Sequence, residues 1–166
     1  MSKDKWKTIT GWFDQANYDM FATLKLPKNP VILESGTAAG KSVWALSELW
    51  PDADITTCDP NTAPQQLPGN VRFFNCKTVE LDLQPFYKWT KKIDLLFIDN
   101  SHHLVDIKAD WDKYEPFVKK GGYIVFHDYH PDGLGVEEIR DFVDALPKEK
   151  VKLFLEGEFH GAVYTK

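Results

Sequence analysis

The side chains best suited to chemistry gather in two short stretches in the second half of the chain. Four of the five histidines and two aspartates lie in IDNSHH, which ends at His103, and in HDYH, which ends at His130. A histidine with an ordinary pKa of about 6.5 can take a proton from a hydroxyl or an amine near neutral pH. Carboxylates can instead hold a divalent metal that orients and acidifies a hydroxyl.

Three interpretations of this group stay open from the sequence. In the first, His102 or His127 acts as a general base. In the second, Asp99 and Asp128, together with a histidine, bind a divalent metal. Magnesium prefers an all-oxygen shell, so a histidine ligand would indicate manganese, iron or zinc. In the third, these side chains only tie loops together, as we expect for the other three histidines.

A second candidate site is the loop ESGTAAGKS, which runs from Glu34 to Ser42. Small residues let the backbone approach a ligand, and the helix that follows offers unpaired N–H groups. One interpretation is a phosphate-binding loop, Gly-x-x-x-x-Gly-Lys-Ser/Thr, with Ser35 in place of the first glycine. That interpretation predicts ATP and magnesium around Lys41, but Glu34 would then approach a polyphosphate of like charge. A tight turn that binds nothing is the other alternative.

The elements that must position these residues alternate between strand and helix, which predicts a parallel sheet covered on both faces. The predicted strands are Val31–Leu33, Ile55–Cys58, Val71–Phe74, Ile93–Ile98, Tyr123–Phe126, Val151–Leu155 and Ala162–Thr165. The predicted helices are 6–24, Lys41–Trp50, Thr78–Thr90, Val105–Val118 and Val136–Leu146. The fold expected is a Rossmann-like α/β three-layer sandwich with a mostly parallel seven-stranded sheet and an antiparallel C-terminal hairpin. Ligands of such sheets bind outside the carboxyl ends of the strands.

Asp59 ends the second predicted strand, where an acid can accept two hydrogen bonds from ribose hydroxyls. The alternative is an aspartate that only stabilises a turn. Trp12, Phe13 and Tyr18 lie on the first predicted helix, where we expect them to pack on the sheet rather than to form a lid.

Length and charge limit the function classes. The chain has 166 residues and a net charge of −5, with no densely basic stretch. We expect one domain over 1–166, with an N-terminal helical segment at 1–29 and a cofactor-binding core at 30–166. Nucleic acid is disfavoured as a partner, and no apolar run is long enough for a membrane helix. Cys58 and Cys76 are interpreted as reduced thiols of a cytoplasmic protein, and a homo-oligomer is compatible with the sequence.

Two motifs resemble class I S-adenosylmethionine-dependent methyltransferases. The stretch VILESGTAAGKSVWAL resembles their first motif, Glu-x-Gly-Thr-x-x-Gly-x-Ser, at Glu34, Gly36, Thr37, Gly40 and Ser42. The second half resembles a small methyltransferase family with Ile-Asp-Gly-x-His and then Gly-Gly-x-Ile-x-Phe-His-Asp. The matched positions are Asp99, His102, Asp110, Gly121, Gly122, His127 and Asp128. Asn100 and Ala38 stand where many members have glycine.

The resemblance implies an S-adenosylmethionine site and a methyl acceptor beside it. The residues implied for the cofactor are Glu34, Gly36, Thr37, Gly40, Ser42, Asp59, Thr78 and Asp99. The Glu34 carboxylate would attract the cationic sulfonium and ammonium, and the Thr78 hydroxyl would lie near the adenine. The residues implied for acceptor chemistry are His102, His127 and Asp128. We expect a small-molecule oxygen or nitrogen acceptor, because no inserted domain or basic surface is evident. The alternatives are a nucleotide hydrolase or kinase of the phosphate-binding-loop type, and a catalytically silent binding module.

Overall fold

The computed structural model describes residues 3–82, 93–132 and 136–166. The strands in these ranges are β1 (Val31–Ser35), β2 (Asp54–Cys58), β3 (Val71–Phe74), β4 (Ile93–Ile98), β5 (Val118–His127), β6 (Val151–Phe154) and β7 (Gly161–Thr165). The α-helices are α1 (Gln15–Ala22), α2 (Lys41–Leu49), α3 (Leu104–Tyr114) and α4 (Glu137–Asp144). Short 3-10 helices lie at Lys5–Thr8, Thr78–Glu80, Glu115–Phe117 and Lys148–Lys150.

The seven strands form one sheet in the order β3-β2-β1-β4-β5-β7-β6. The first five strands run parallel, while β7 is antiparallel to both of its neighbours. This confirms the predicted seven-stranded sheet and its antiparallel hairpin. The chain moves outwards from β1 to β3 and then returns to β4 on the other side of β1. That reversal opens a crevice at the carboxyl ends of β1 and β4, where a ligand of such a fold is expected.

Apart from Asp94, which pairs with Lys119, the β4 sequence IDLLFI is apolar because helices cover both faces of the sheet. Successive side chains of a strand point to opposite faces. Leu95 and Phe97 pack in one buried cluster, which also contains side chains of α1 and α2. Leu96 and Ile98 pack in the other cluster, together with side chains of α3 and α4. The protein is therefore a three-layer sandwich, with the crevice along one edge of the middle layer.

The prediction of a single helix over 6–24 is wrong. The 3-10 helix Lys5–Thr8 is followed by a non-helical segment in which Gly11 has φ +144°, a value that glycine adopts most readily. Helix α1 begins only at Gln15, after a capping box in which Asp14 accepts from the Asn17 amide (2.9 Å) and Asn17 accepts from the Asp14 amide (3.0 Å). Trp12 therefore lies on a connecting segment rather than on a helix.

The predicted helix Thr78–Thr90 begins with the 3-10 turn Thr78–Glu80, and its remaining part from residue 83 lies outside the described residues. Helix α4 ends two residues earlier than predicted, at Asp144. Helix α3 ends at Tyr114, because Pro116 lies in the 3-10 turn that follows and cannot donate a helical hydrogen bond. Val118 then begins β5, so Gly121 and Gly122 lie inside a strand and do not separate two elements.

The tip of the β6–β7 hairpin packs against the start of α1. The Glu158 amide donates to the Asp14 carboxylate (2.8 Å), and the Asn17 side-chain amide donates to the Phe159 carbonyl (2.5 Å). The same two residues thus cap α1 and hold the hairpin. Within the described residues, no helix combines the length and the apolar character needed to cross a bilayer.

Candidate active site

A cavity of about 480 Å³ opens at the carboxyl ends of the parallel strands. Its wall contains most of the loop after β1 and residues that follow each of the strands β2 to β5. The non-helical segment Thr10–Phe13 forms another part of this wall. Residues from both halves of the chain, including most of those proposed from the two motifs, therefore face one cavity.

Glu34 does not line this cavity. Its side chain is fully buried, and its carboxyl group accepts hydrogen bonds from the hydroxyls of Ser42 and Thr57, both at 2.5 Å. Burial raises the pKa of Glu34 to about 8, so the side chain is mostly neutral near pH 7. The expectation that a Glu34 carboxylate attracts a cationic ligand therefore fails in this structure. Glu34 instead connects β1, β2 and α2 beneath the loop.

Gly36 brings the loop against the end of β4. Its φ is +97°, and a Cβ atom there would lie 1.7 Å from the carbonyl oxygen of Asp99. Glycine is required at this position because any side chain would collide with backbone. Gly36, Thr37 and Ser42 line the cavity. Gly40, with φ +88°, lies behind the wall at the start of α2, where it shapes the loop without facing the cavity.

Asp59 lines the cavity and also stabilises its own turn. One carboxylate oxygen accepts from the Ala38 amide (2.9 Å), and the other accepts from the amides of Asn61 and Thr62 (both 2.8 Å). A carboxylate offers about four acceptor positions. Three are already used by the backbone, so Asp59 has room for roughly one ribose hydroxyl rather than the expected two.

Thr78 belongs to a buried chain of hydroxyl groups that the sequence did not reveal. Its hydroxyl donates to Ser35 (2.5 Å), and the Ser35 hydroxyl donates to Asp110 (2.5 Å). The Asn100 side chain donates to the same Asp110 oxygen (2.9 Å). Burial raises the pKa of Asp110. Thr78 lines the cavity as predicted, but its proton is committed to Ser35, which leaves it as an acceptor for a ligand.

The two cysteines are free thiols. Cys58 is buried at the end of β2, where its thiol contacts the Thr78 hydroxyl at 3.1 Å. Burial raises the pKa of the Cys58 thiol to about 12, so the thiol is neutral and unreactive. Cys76 is only partly buried.

Two aspartates and two histidines meet where β4 and β5 end. The Nε2 atom of His102 lies 3.2 Å from an Asp128 oxygen and 3.5 Å from an Asp99 oxygen. The Nδ1 atom of His127 lies 2.9 Å and 3.4 Å from the same two oxygens. His102 and Asp128 both have positive φ, of +64° and +55°. Backbone in this conformation is held by its surroundings and is frequent at functional sites.

The electrostatics of this cluster favour charged imidazoles. Burial opposes protonation of His102, but the nearby carboxylates of Asp128 and Asp99 raise its pKa to about 9. The pKa of the buried His127 is raised for the same reason. Burial acts to raise the pKa of Asp128, yet the two histidines hold it below its ordinary value. A protonated His102 can serve neither as a general base nor as a metal ligand, so each of the first two sequence interpretations requires this imidazole to lose its proton.

His127 does not border the cavity. It is fully buried, and its ring lies 5.9 Å from the Phe97 ring and 5.8 Å from the Phe159 ring. The side chains of Phe126 and His127 point to opposite faces of the sheet, and His127 faces the side that α1 covers. The structure therefore places His127 behind Asp128, where it can orient the carboxylates but cannot touch an acceptor.

Asp99, His102 and Asp128 form a set that could hold a metal ion. Each offers one ligand atom, and these atoms lie within 4.8 Å of one another. Two oxygens and one imidazole nitrogen form a mixed donor set, which suits manganese, iron or zinc better than magnesium. The residues thus fit the second sequence interpretation, in which the strand-end acids and a histidine bind a divalent metal.

Trp12 is the aromatic residue whose position differs most from the prediction. It is 70% exposed and lines the cavity, whereas its neighbour Phe13 is 2% exposed and packs on Trp6 and Phe21. Tyr18 stacks on Trp6 at 5.3 Å. The segment therefore covers part of the cavity, as the lid alternative implies, and only Phe13 and Tyr18 pack as expected.

Residues 33–129 match the sequence model of a family described as a methyltransferase domain. The chain belongs to this methyltransferase family. The match spans more than half of the chain, and it contains the loop after β1 as well as the Asp99–His102–Asp128 cluster. It confirms the resemblance to class I methyltransferases, and it favours methyl transfer over the phosphate-binding alternative for the loop.

Solved structures of other methyltransferases share the fold. A Streptococcus mutans protein described as a methyltransferase and solved in complex with SAH superposes with a TM-score of 0.64 and 14% identity, over 93% of this chain and 99% of that one. A Staphylococcus aureus protein described as a caffeoyl-CoA O-methyltransferase has a TM-score of 0.68 and 18% identity, over 96% and 87%. An rRNA methylase of Streptococcus thermophilus has a TM-score of 0.63 and 11% identity, over 94% and 100%. At these identities the likeness establishes the fold.

One curated relative matches over a short stretch. An uncharacterized protein of Acanthamoeba polyphaga mimivirus is 51% identical over 37 residues, which are 22% of this chain and 17% of the viral protein. The matching region is thus a small part of that relative.

Proposed function

We propose that the protein transfers a methyl group from S-adenosylmethionine to a hydroxyl or amine of a small molecule. The observation that carries this proposal is the position of the Asp99–His102–Asp128 cluster on the wall of the cavity that the Gly36–Ser42 loop also lines. A cofactor held by the loop would bring its methyl group towards an acceptor held by the cluster. Such proximity is the main requirement of a bimolecular displacement.

The cofactor's groups fit different parts of the wall. Gly36, Thr37 and Ser42 would contact its amino-acid part, Asp59 one ribose hydroxyl, and Thr78 the adenine. The loop also contacts the β4 end at Asp99, which supports a role for that acid near the sulfonium. Glu34 and Gly40 contribute indirectly, because both shape the loop from behind the wall.

In the reaction, the acceptor oxygen or nitrogen forms a bond to the methyl carbon while the carbon–sulfur bond breaks. The acceptor loses its proton, and S-adenosylhomocysteine leaves. A divalent metal on Asp99, His102 and Asp128 would acidify a hydroxyl acceptor. Asp99, His102 and Asp128 orient the acceptor, and its proton passes through this polar cluster to solvent.

The charge of the wall supports a small acceptor rather than a nucleic acid. Five carboxyl groups line the cavity, from Asp59, Asp99, Asp106, Asp110 and Asp128. Nucleic-acid binding depends on cationic contacts to phosphates, and an acidic cavity wall opposes such contacts. We also propose a cytoplasmic location, since free thiols suit a reducing compartment. The division at residue 30 and a homo-oligomeric state stay predictions.

Calorimetric titration with S-adenosylhomocysteine, and with ATP–magnesium and NAD as controls, tests the cofactor. We expect micromolar binding of S-adenosylhomocysteine alone. Binding of ATP–magnesium instead would contradict the proposal and support the phosphate-binding loop.

An acceptor screen tests the substrate class. Small alcohols, phenols and amines, together with an RNA pool, are incubated with labelled S-adenosylmethionine in the presence of manganese, zinc, magnesium or a chelator. We expect labelled small-molecule products and none on RNA. A catalytically silent module would bind S-adenosylhomocysteine yet label nothing, and labelled RNA would contradict the small acceptor.

A further inference from the structure

Lys41 is the residue of the glycine-rich loop for which the proposed function has no role so far. It is the first residue of α2 and lines the cavity. Its ammonium donates to the carbonyl oxygen of Gly11 at 3.1 Å, which ties α2 to the segment that carries Trp12. An ammonium group has three N–H donors. The bond to Gly11 uses one, which leaves two donors held at the cavity wall.

The other cationic groups of the wall are already paired with acids. The Lys77 ammonium lies 3.3 Å from an Asp106 oxygen, and His102 lies between Asp99 and Asp128. Across 3–82, 93–132 and 136–166, Lys41 makes no ion pair with a carboxylate. Among the described residues of this wall, Lys41 is therefore the cation that can bind an anionic ligand without breaking an existing ion pair.

The proposed cofactor carries one anionic group, the carboxylate of its amino-acid part. The sites proposed for its other parts are acidic, because Asp59 faces the ribose and Asp99 and Asp128 face the reacting end. A carboxylate placed near any of these acids would be repelled. The loop residues that line the cavity carry no carboxylate of their own, Lys41 adds a positive charge to them, and the amide groups at the start of α2 add a favourable dipole.

We propose that the ammonium group of Lys41 binds the carboxylate of the cofactor's amino-acid part. This inference rests on the proposed use of S-adenosylmethionine. The bond to Gly11 positions the ammonium at the cavity wall, and its two remaining donors are available to the ligand. Lys41 thus binds the cofactor's carboxylate rather than a phosphate group.

The test compares two ligands on matched variants. S-adenosylhomocysteine has the amino-acid carboxylate, whereas methylthioadenosine lacks the amino-acid part. Both are titrated calorimetrically into the wild type, Lys41→Ala, Lys41→Arg and Lys28→Ala. Lys28 is a surface lysine whose only recorded ion pair in the described residues is with Asp52 at 3.9 Å, so its loss controls for the change in net charge.

We expect Lys41→Ala to weaken S-adenosylhomocysteine by at least about tenfold, since hydrogen bonds to charged groups contribute at this level. Methylthioadenosine should bind it as it binds the wild type, which also shows that the variant is folded. Lys41→Arg should keep most of the affinity for S-adenosylhomocysteine, and Lys28→Ala should bind it as tightly as the wild type does.

Equal weakening of both ligands by Lys41→Ala would overturn the inference, because Lys41 would then act only through its bond to Gly11. Unchanged affinity for both would overturn it as well, since the carboxylate would bind elsewhere. In either case the wild type would still bind S-adenosylhomocysteine, so the proposed cofactor would stand. A wild type that binds neither ligand contradicts the cofactor and, with it, the role of Lys41.

Discussion

The two halves of the cavity wall satisfy their polar groups in different ways. On the β1–β2 side, Asp59 in the wall and Glu34 behind it accept five hydrogen bonds from hydroxyls and amides of the protein itself. On the β4–β5 side, Asp99, His102 and Asp128 face one another. The first half uses its polar groups to maintain a shape. The second concentrates charge around a point that a metal ion or an acceptor can occupy.

The largest expected effect is on the pH dependence of the free energy of unfolding, and it tests whether Glu34 is neutral in the folded protein. Its pKa of about 8 exceeds the ordinary value of 4.5, so between these pH values the folded state keeps a proton that the unfolded state has lost. The free energy of unfolding should therefore fall as pH rises from about 4.5 to about 8, by up to about 5 kcal/mol in total. Glu34→Gln should remove this fall, as urea denaturation across the pH range would show.

The exposed Glu149→Gln is the matched control and should keep the wild-type dependence. A parallel pH dependence in Glu34→Gln and the wild type would mean that Glu34 is charged in the folded protein. The β1–β2 side would then also present charge, and the contrast would disappear.

Gly36→Ala should be the most damaging small substitution on the β1–β2 side. The added Cβ would meet the Asp99 carbonyl at 1.7 Å, and φ is +97°. Strained φ and overpacking together should lower stability by about 3 kcal/mol or more. Two glycines separate the causes, since Gly121 has φ +78° in open space and Gly69 has open space without positive φ. Thermal unfolding should give losses in the order Gly36, Gly121, Gly69, and equal losses would refute the close approach.

Asp128→Asn tests whether the β4–β5 side of the wall binds a metal ion. It removes a carboxylate shared by His102 and His127, and so one of three candidate metal ligands. We expect manganese affinity to fall about a hundredfold. Loss of a residue that only supports a metal ligand costs about ten- to a hundredfold, and loss of a ligand should cost at least as much. Calorimetry with manganese measures this, and S-adenosylhomocysteine affinity should change little. Asp106→Asn, on the same wall but paired with Lys77, is the control, and equal losses in both would mean non-specific attraction.

The smallest effect concerns the contact that joins the N-terminal segment to the hairpin. Asp14→Ala removes the cap of α1 and the acceptor for the Glu158 amide. Loss of a cap costs about 1 kcal/mol, so the melting temperature should fall by a few degrees. Gln15→Ala, which loses only an exposed bond to Asp19, should change it less. An equal fall in both would place the stabilisation in helix propensity rather than in the hairpin contact.

The sequence predicted the elements well wherever local signals agreed. The bounds of β3 and β4 match the prediction, because each apolar run ends at a turn signal. The helix predicted over 6–24 failed at Gly11, whose backbone conformation the apolar periodicity does not report. The role of Glu34 could not be read locally, since its burial depends on Thr57 and Ser42 from two other elements. The position of His127 could have been predicted, because successive side chains of β5 point to opposite faces of the sheet and His127 directly follows Phe126.

The insertion of β7 between β5 and β6 has a consequence for synthesis on the ribosome. The strand β6 emerges first, yet its partner in the sheet is β7. Until β7 has emerged, β5 has an open edge and β6, with its exposed Leu153, has nothing to pair with. The nascent chain can therefore assemble the parallel strands early, while the hairpin contacts to α1 and His127 form only after translation has passed residue 165. The protein passes through this aggregation-prone interval each time it is made.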